Sequence, residues 1–202
     1  MLNLFVIRHG ETEWNTQKRM QGRLDSDLTE KGKKDARSLG ERLKDTKFVR
    51  IISSPSNRTL ETAKQVVVER AAAVETDERL MEIHLGDWQG KVEADIEKEY
   101  PDLFHAYWNL PALYESVGGE SFSDVKERLL EFLLELEKAT PSGNVLIVTH
   151  GVVIKALYLL CRNAPIEEIW NPPFIHGTSL TKIKMRDGKM ELILEGCIAH
   201  CG

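Results

Sequence analysis

A chain of 202 residues, 42% apolar and 29% charged, has an ordinary globular makeup and enough length for one domain with a full core. The formal net charge of −5 excludes a protein that grips nucleic acid through a basic face, though not a local cationic pocket. No apolar run approaches the roughly 18 residues that span a bilayer.

Met1 leads directly into an apolar run, so no leader peptide is expected. The cysteines, Cys161, Cys197 and Cys201, are too few and uneven for a disulfide framework and fit a reducing compartment. These features predict a cytoplasmic protein that engages neither membrane nor nucleic acid. Cys197, His200 and Cys201 lie close together, but a structural metal site needs a fourth ligand that this segment lacks. Neither a metal nor a cofactor is expected.

In chain order, Leu4-Phe5-Val6-Ile7 reads as a buried strand that stops at the polar edge Arg8-His9-Gly10. Thr29 is the N-cap of a helix whose Ala36, Leu39, Gly40 and Leu43 form one apolar stripe. Val49–Ile52 is a second strand. Ser54-Pro55 predicts a helix start, with Ser at the N-cap and Pro at the first helical position, running to about Arg70. A short strand is expected within 74–79. Residues 83–119 carry Trp88, Tyr100, Phe104, Tyr107, Trp108 and Tyr114 between two prolines, and read as an irregular, partly helical cap inserted over the site.

Ser121 and Asp124 form a capping box for a long helix, and its Lys/Glu-rich stretch 126–138 reads as a solvated face. Val145–Val148 is a strand that again ends in His150-Gly151. The helix from Gly151 to about Cys161 has almost no polar face and is expected to be buried. Residues 179–185 and 190–194, joined by Asp187-Gly188, predict a terminal hairpin. Strands alternating with helices predict a three-layer α/β/α sandwich around a mostly parallel, mixed sheet, as a single domain over residues 1–202.

Open α/β sheets bind ligands at the carboxyl ends of their strands. There the chain places Arg8 and His9, then Arg58 in the first turn after the second strand, then His150 and Gly151 at a helix N-terminus. Two guanidinium groups, two imidazoles and helix amino ends make a pocket for a compact dianion, for which phosphate is the natural candidate. The chain has no Gly-rich P-loop and no acidic cluster for Mg²⁺. A neutral imidazole can attack phosphorus, and neighbouring arginines disfavour its protonation. Glu82, between the sheet and the cap, is the candidate to protonate the leaving alkoxide and then to activate water. These residues alone leave open which histidine attacks.

The motifs extend beyond the pocket. Arg8-His9-Gly10-Glu11-Thr12-Glu13-Trp14-Asn15, Gln21-Gly22, Leu28-Thr29-Glu30-Lys31-Gly32 and Ser53-Ser54-Pro55-Ser56-Asn57-Arg58-Thr59 resemble signatures of the histidine phosphatase superfamily, the phosphoglycerate-mutase-like proteins. Leu80-Met81-Glu82, Gly86-Asp87-Trp88-Gln89-Gly90, Gly118-Gly119-Glu120-Ser121 and Val148-Thr149-His150-Gly151 continue the resemblance in family order. It implies that His9 is the nucleophile, His150 the second imidazole, Arg8 and Arg58 the phosphate clamps and Glu82 the proton donor. It also implies that Asn15, Gln21 and Gly22 lie near the phosphate oxygens.

The expected activity is metal-independent hydrolysis of small-molecule phosphomonoesters through phosphohistidine. The alternatives are a phosphoglycerate mutase and a phospho-ligand binding module without catalysis. A mutase must hold a second anion, yet residues 80–127 contain no Arg and many aromatics. Arg19 and Arg23 are the cations it would draw on, and both otherwise read as solvated charges. The intact His9, His150 and Glu82 argue against a non-catalytic module. His84, His105, His176 and His200 read as ordinary polar groups without a catalytic partner.

Overall fold

The two apolar runs that end in His-Gly alternate between two cores, not between core and solvent. Leu2, Leu4 and Val6 join Val145 and Ile147 in one buried cluster, while Phe5 and Ile7 join Leu146 and Val148 in another. Strands that are apolar on both sides need a covering layer on each, and the computed structural model has both. It describes residues 1–68, 73–116 and 118–201.

Among these residues a six-stranded sheet is formed by β1 (Leu2–Arg8), β2 (Arg50–Ser53), β3 (Val74–Thr76), β4 (Gly143–Thr149), β5 (Leu180–Arg186) and β6 (Lys189–Cys197), in the order β3-β2-β4-β1-β5-β6. The first four in that order run parallel, β5 is antiparallel to β1, and β6 is antiparallel to β5. After a four-residue helix α1 (Glu13–Thr16), the helices α2 (Glu30–Arg42) and α3 (Asn57–Val66) cover the Phe5 side. In the segment between β3 and β4, α4 (Glu93–Glu99) and α5 (Pro101–Asn109) precede α6 (Phe122–Ala139). That helix and α7 (Gly151–Arg162) cover the Leu4 side. The three-layer sandwich with a mixed, mostly parallel sheet is the predicted architecture.

Local chemistry explains several element ends. The Thr29 hydroxyl accepts from the Gly32 N–H at 3.0 Å, and Ser121 and Asp124 exchange hydrogen bonds at 3.2 and 2.8 Å, the full capping box. Each such cap stabilises its helix by about 1 kcal/mol. Asp187 and Gly188 both have positive φ (52° and 73°), as the tight β5–β6 hairpin requires. From Val152 to Leu159 every α7 residue is buried, Lys155 included. No helix among the described residues is long and apolar enough to cross a membrane.

One start signal misleads. The helix expected from Ser54-Pro55 begins later, at Asn57 with Ser56 as N-cap, and ends at Val66; the expected end at Arg70 lies outside the described residues. The reason is in the site below: the hydroxyls of Ser54 and Ser56 face His150 and each other, so neither caps the helix.

The described residues of the segment 83–119 are partly helical, as expected. Its centre is Trp88, 1% exposed, with the rings of Tyr100, Phe104, Tyr107 and Tyr114 at 5.6–6.3 Å.

Candidate active site

β1 and β4 are parallel neighbours in a register that pairs Arg8 with Thr149, so the residues that follow, His9 and His150, emerge side by side. Their ring centroids are 5.3 Å apart at 63°. β2 flanks β4 on the other side and delivers Arg58 through the start of α3. Glu82 follows the turn after β3, and its Oε2 accepts from the Val152 N–H at the start of α7 at 3.2 Å. The residues proposed from sequence as catalytic are therefore brought together at one sheet edge.

Hydrogen bonds fix the tautomer of each imidazole. His9 Nδ1 lies 2.8 Å from the Gly10 carbonyl, which can only accept, so Nδ1 carries the proton and Nε2 keeps its lone pair. Arg58 Nη2 lies 3.0 Å from His150 Nδ1; a guanidinium can only donate, so here the lone pair is on Nδ1. His150 Nε2–H then donates to Ser54 Oγ at 2.8 Å, with Ser56 Oγ at 3.3 Å. Both rings are held well below the usual imidazole pKa, first by burial and then by the positive charge of Arg58 and, with less effect, Arg8.

The arginines are held with equal care. Arg58, 1% exposed, donates through Nη1 to Asp25 Oδ1 at 2.8 Å and through Nη2 to the Gly22 carbonyl at 2.7 Å. Asp25 also accepts from the Asn57 N–H at 2.8 Å, so one carboxylate fastens both the helix start and the guanidinium. Arg8 donates through Nη1 to the Ile175 carbonyl at 2.5 Å. The Nε–H of each arginine is buried without an acceptor among the described residues. Buried charged donors of this kind suit an anion.

A cavity of about 740 Å³ opens above these groups. Arg8, His9, Arg58, Glu82 and Gly151 form its floor, and Asn15, Gln21 and Gly22 border it. His150 is fully buried beside His9. Gln21 spans two neighbours, donating to Thr12 Oγ1 at 2.9 Å and accepting from Ser26 at 3.3 Å, and the Asn15 side-chain oxygen caps Thr12. The aromatic wall comes from Tyr107 and Trp108 of α5 and from Trp170 and Phe174. Alternate carbonyls of that second segment point at cations: Lys155 Nζ donates to Asn171 and Pro173 at 2.5 and 2.7 Å, and Arg8 takes Ile175. Burial pulls the Lys155 amine down to about 8.

The floor rests on bare backbone. A Cβ on Gly10 would lie 2.9 Å from the Gly32 carbonyl oxygen, one on Gly32 2.3 Å from the Glu11 oxygen, and one on Gly177 2.9 Å from the Glu11 nitrogen.

Several expectations need correction or addition. Arg23 is not a solvated charge: its Nη2 donates to Glu120 at 2.8 Å. Arg19 borders the cavity but donates to the Gly90 carbonyl and to Gln17, both at 2.8 Å. Within the stretch 126–138, Arg128 turns inward to Glu120 and the Glu82 segment. His200 meets Thr178 at 3.0 Å and His84 accepts from the Gly86 N–H at 3.1 Å, so these two histidines have local partners. The sequence reading missed Asp25, Ser54 and Ser56 as supports and Trp170–Ile175 as wall. Trp170 and Phe174 around two prolines were the one available signal for the wall.

Residues 4–197 match the family model of the histidine phosphatase superfamily (branch 1). Phosphoserine phosphatase 1 of Hydrogenobacter thermophilus is 34% identical over 171 residues, covering 85% of this chain and 81% of that protein. The solved structure of Bacillus stearothermophilus YhfR superposes with a TM-score of 0.97 at 43% identity, covering all of both chains. A mycobacterial glucosyl-3-phosphoglycerate phosphatase solved with VO3 gives a TM-score of 0.86 at 32% identity, covering 95% of this chain and 97% of that one. A family match along almost the whole chain, together with histidines, arginines and a carboxyl converging at one sheet edge, leads to one conclusion: the chain belongs to the histidine phosphatase superfamily.

Proposed function

We propose that the protein hydrolyses small phosphomonoesters through a phosphohistidine on His9, without a metal. The observation that carries this reading is the His9 Nδ1 contact to Gly10, which leaves Nε2 unprotonated in a cavity floored by two arginines. Nε2 attacks phosphorus, the P–O bond to the alcohol breaks, and Glu82 protonates the departing oxygen. Glu82, now a carboxylate, takes a proton from the water that attacks phosphorus and breaks the P–N bond. Arg8 and Arg58 face the equatorial oxygens, where the charge of the transferring group spreads, so guanidinium groups meet the charge that a metal meets elsewhere. His150 orients Arg58 against the same oxygens. Asn15, Gln21 and Gly22 border the phosphate site, and the Gly151 end of α7 adds helix-terminal polarity.

Hydrolase is favoured over mutase because Arg23 and Arg19, the cations proposed for a second anion, are committed to Glu120 and Gly90. Residues 83–119 act as a cap within a single domain spanning 1–202, with Tyr107 and Trp108 meeting the alcohol part of the substrate. The three free cysteines support a cytoplasmic setting.

The test is turnover of an aryl phosphate in EDTA, with acid-labile labelling of the enzyme by a radioactive phosphomonoester. Turnover and label are expected in the wild type, and neither in His9→Ala. Full activity in His9→Ala, or loss of wild-type turnover in EDTA, overturns the reading.

A further inference from the structure

Glu120 joins the two halves of the site, although it does not border the cavity. Its Oε1 accepts from Arg23 Nη2 at 2.8 Å and from Arg128 Nε at 3.0 Å. Its Oε2 accepts from Arg128 Nη2 at 3.2 Å and from the His84 N–H at 2.9 Å. The Glu120 N–H returns to the His84 carbonyl at 2.8 Å. Arg128 spends its remaining donors on the same loop, reaching the Arg79 carbonyl at 2.6 Å and the Glu82 carbonyl at 3.3 Å. The loop that carries Glu82 is therefore gripped before, at and after that residue. The approach is so close that a Cβ on Gly119 would lie 2.1 Å from the His84 carbonyl oxygen.

Arg23 belongs to the other half. It sits between Gly22 and Leu24, whose carbonyls hold Arg58 at 2.7 and 2.5 Å, and its own N–H is held by Gln89 at 2.8 Å. The carboxylate of Glu120, 18% exposed, thus bridges an arginine on the Arg58 seat and an arginine on the Glu82 loop.

We infer that Glu120, acting with Arg128 and Arg23, is a positioning residue that sets Glu82 relative to the phosphate held by Arg58. Its effect is on proton transfer to the leaving oxygen. Among the described residues the Glu82 carboxyl makes no hydrogen bond to a side chain: its oxygens meet the N–H groups of Ile83 at 3.0 Å and Val152 at 3.2 Å. Its place therefore follows the backbone, and the backbone is what Glu120 and Arg128 hold. A displacement of about 1 Å at a proton donor costs on the order of a hundredfold in rate.

The inference rests on Glu82 being the donor, and leaving-group dependence separates the two questions. An alkyl monoester leaves as a strong base and needs the proton, whereas a p-nitrophenyl ester leaves as a stabilised phenolate and needs it far less. Values of kcat/KM are measured for both esters in the wild type, Glu82→Gln, Glu120→Gln, Glu120→Asp and Arg128→Lys, with thermal unfolding alongside. Expected for Glu120→Gln is a loss of about fiftyfold or more on the alkyl ester and under fivefold on the aryl ester, in the pattern of Glu82→Gln, with Glu120→Asp intermediate. Equal losses on both esters in Glu120→Gln, with Glu82→Gln still selective, overturn the positioning role. Equal losses in Glu82→Gln overturn the assignment of Glu82 itself. If Glu120→Gln does not fold, Arg128→Lys carries the same comparison, with the same selective loss expected and an equal loss on both esters overturning the role.

Discussion

Nη2 of Arg58 sits 3.0 Å from Nδ1 of His150, with neither side chain in reach of solvent. Because a guanidinium never accepts, this contact dictates the tautomer of His150 and turns its other nitrogen to Ser54. An ammonium cannot serve Asp25, two carbonyls and an imidazole from one fork. Arg58→Lys is expected to lower kcat/KM for an aryl phosphate by at least about a hundredfold, because an ammonium lacks the planar fork that the proposed clamp on the transferring group needs. Arg58→Met, which removes the charge as well, should raise the pKa of His150, since Arg58 is the leading charge that depresses it. Histidine NMR titration checks the second effect; an unmoved His150 would show that burial alone sets it.

The two buried rings also predict how stability depends on pH. Both are neutral in the fold, while in the unfolded chain each takes up a proton near the ordinary value of 6.5. The unfolded state therefore binds more protons below that pH, so stability is full above it and falls as the solution is acidified. Urea unfolding across this range should lose part of that slope in His9→Asn, up to one proton's worth. For the same reason, the acid limb of kcat/KM should lie below pH 6.5.

Lys155 gives the opposite window. Its folded value of about 8 lies below the ordinary 10.5, set by burial and the nearby Arg162 against the opposing Glu195. Between these values the unfolded chain holds the extra proton, so this residue makes stability rise with pH there. Lys155→Met should remove that rise, read as the difference between the two denaturation profiles. It should also raise KM more than it lowers kcat, because the carbonyls of Asn171 and Pro173 lose their donor and the aromatic wall loosens.

Trp88 anchors the segment over the cavity. Trp88→Ala is expected to cost about 3–5 kcal/mol, as for other fully buried large aromatics, measured by chemical denaturation. The loss should appear in KM as well, since Tyr107 packs on Trp88 at 5.7 Å and lines the cavity.

What the sequence revealed of the site has a physical pattern. His9, His150, Arg8 and Arg58 sit within a few residues of strand ends, and the strands announce themselves as apolar runs, so their meeting place follows from parallel pairing. The groups that hold them were hidden. Asp25 and Glu120 lie in loops and act on partners 32 and 8 residues away or more, at separations that no periodicity marks. Ser54-Pro55 signals a helix start that the fold does not use, because capping is a local rule and here a tertiary contact outcompetes it: both serine hydroxyls turn to His150 and the helix begins at Asn57. The charged stretch around Arg128 reads as solvent-facing, although its helix phase, one residue before the buried Leu129, sets it at the edge of the core.

The crowding of Gly10, Gly32 and Gly177 beneath His9 has a consequence for how such a protein can diversify. Main chain pressed on main chain leaves no slack for a new side chain, so the platform beneath His9 is frozen against mutation. The overhanging aromatic wall is built of side chains and bears no such constraint. New specificities should therefore be acquired by redecorating that overhang, and directed evolution confined to α5 and residues 170–175 should shift substrate preference while the reaction itself stays intact.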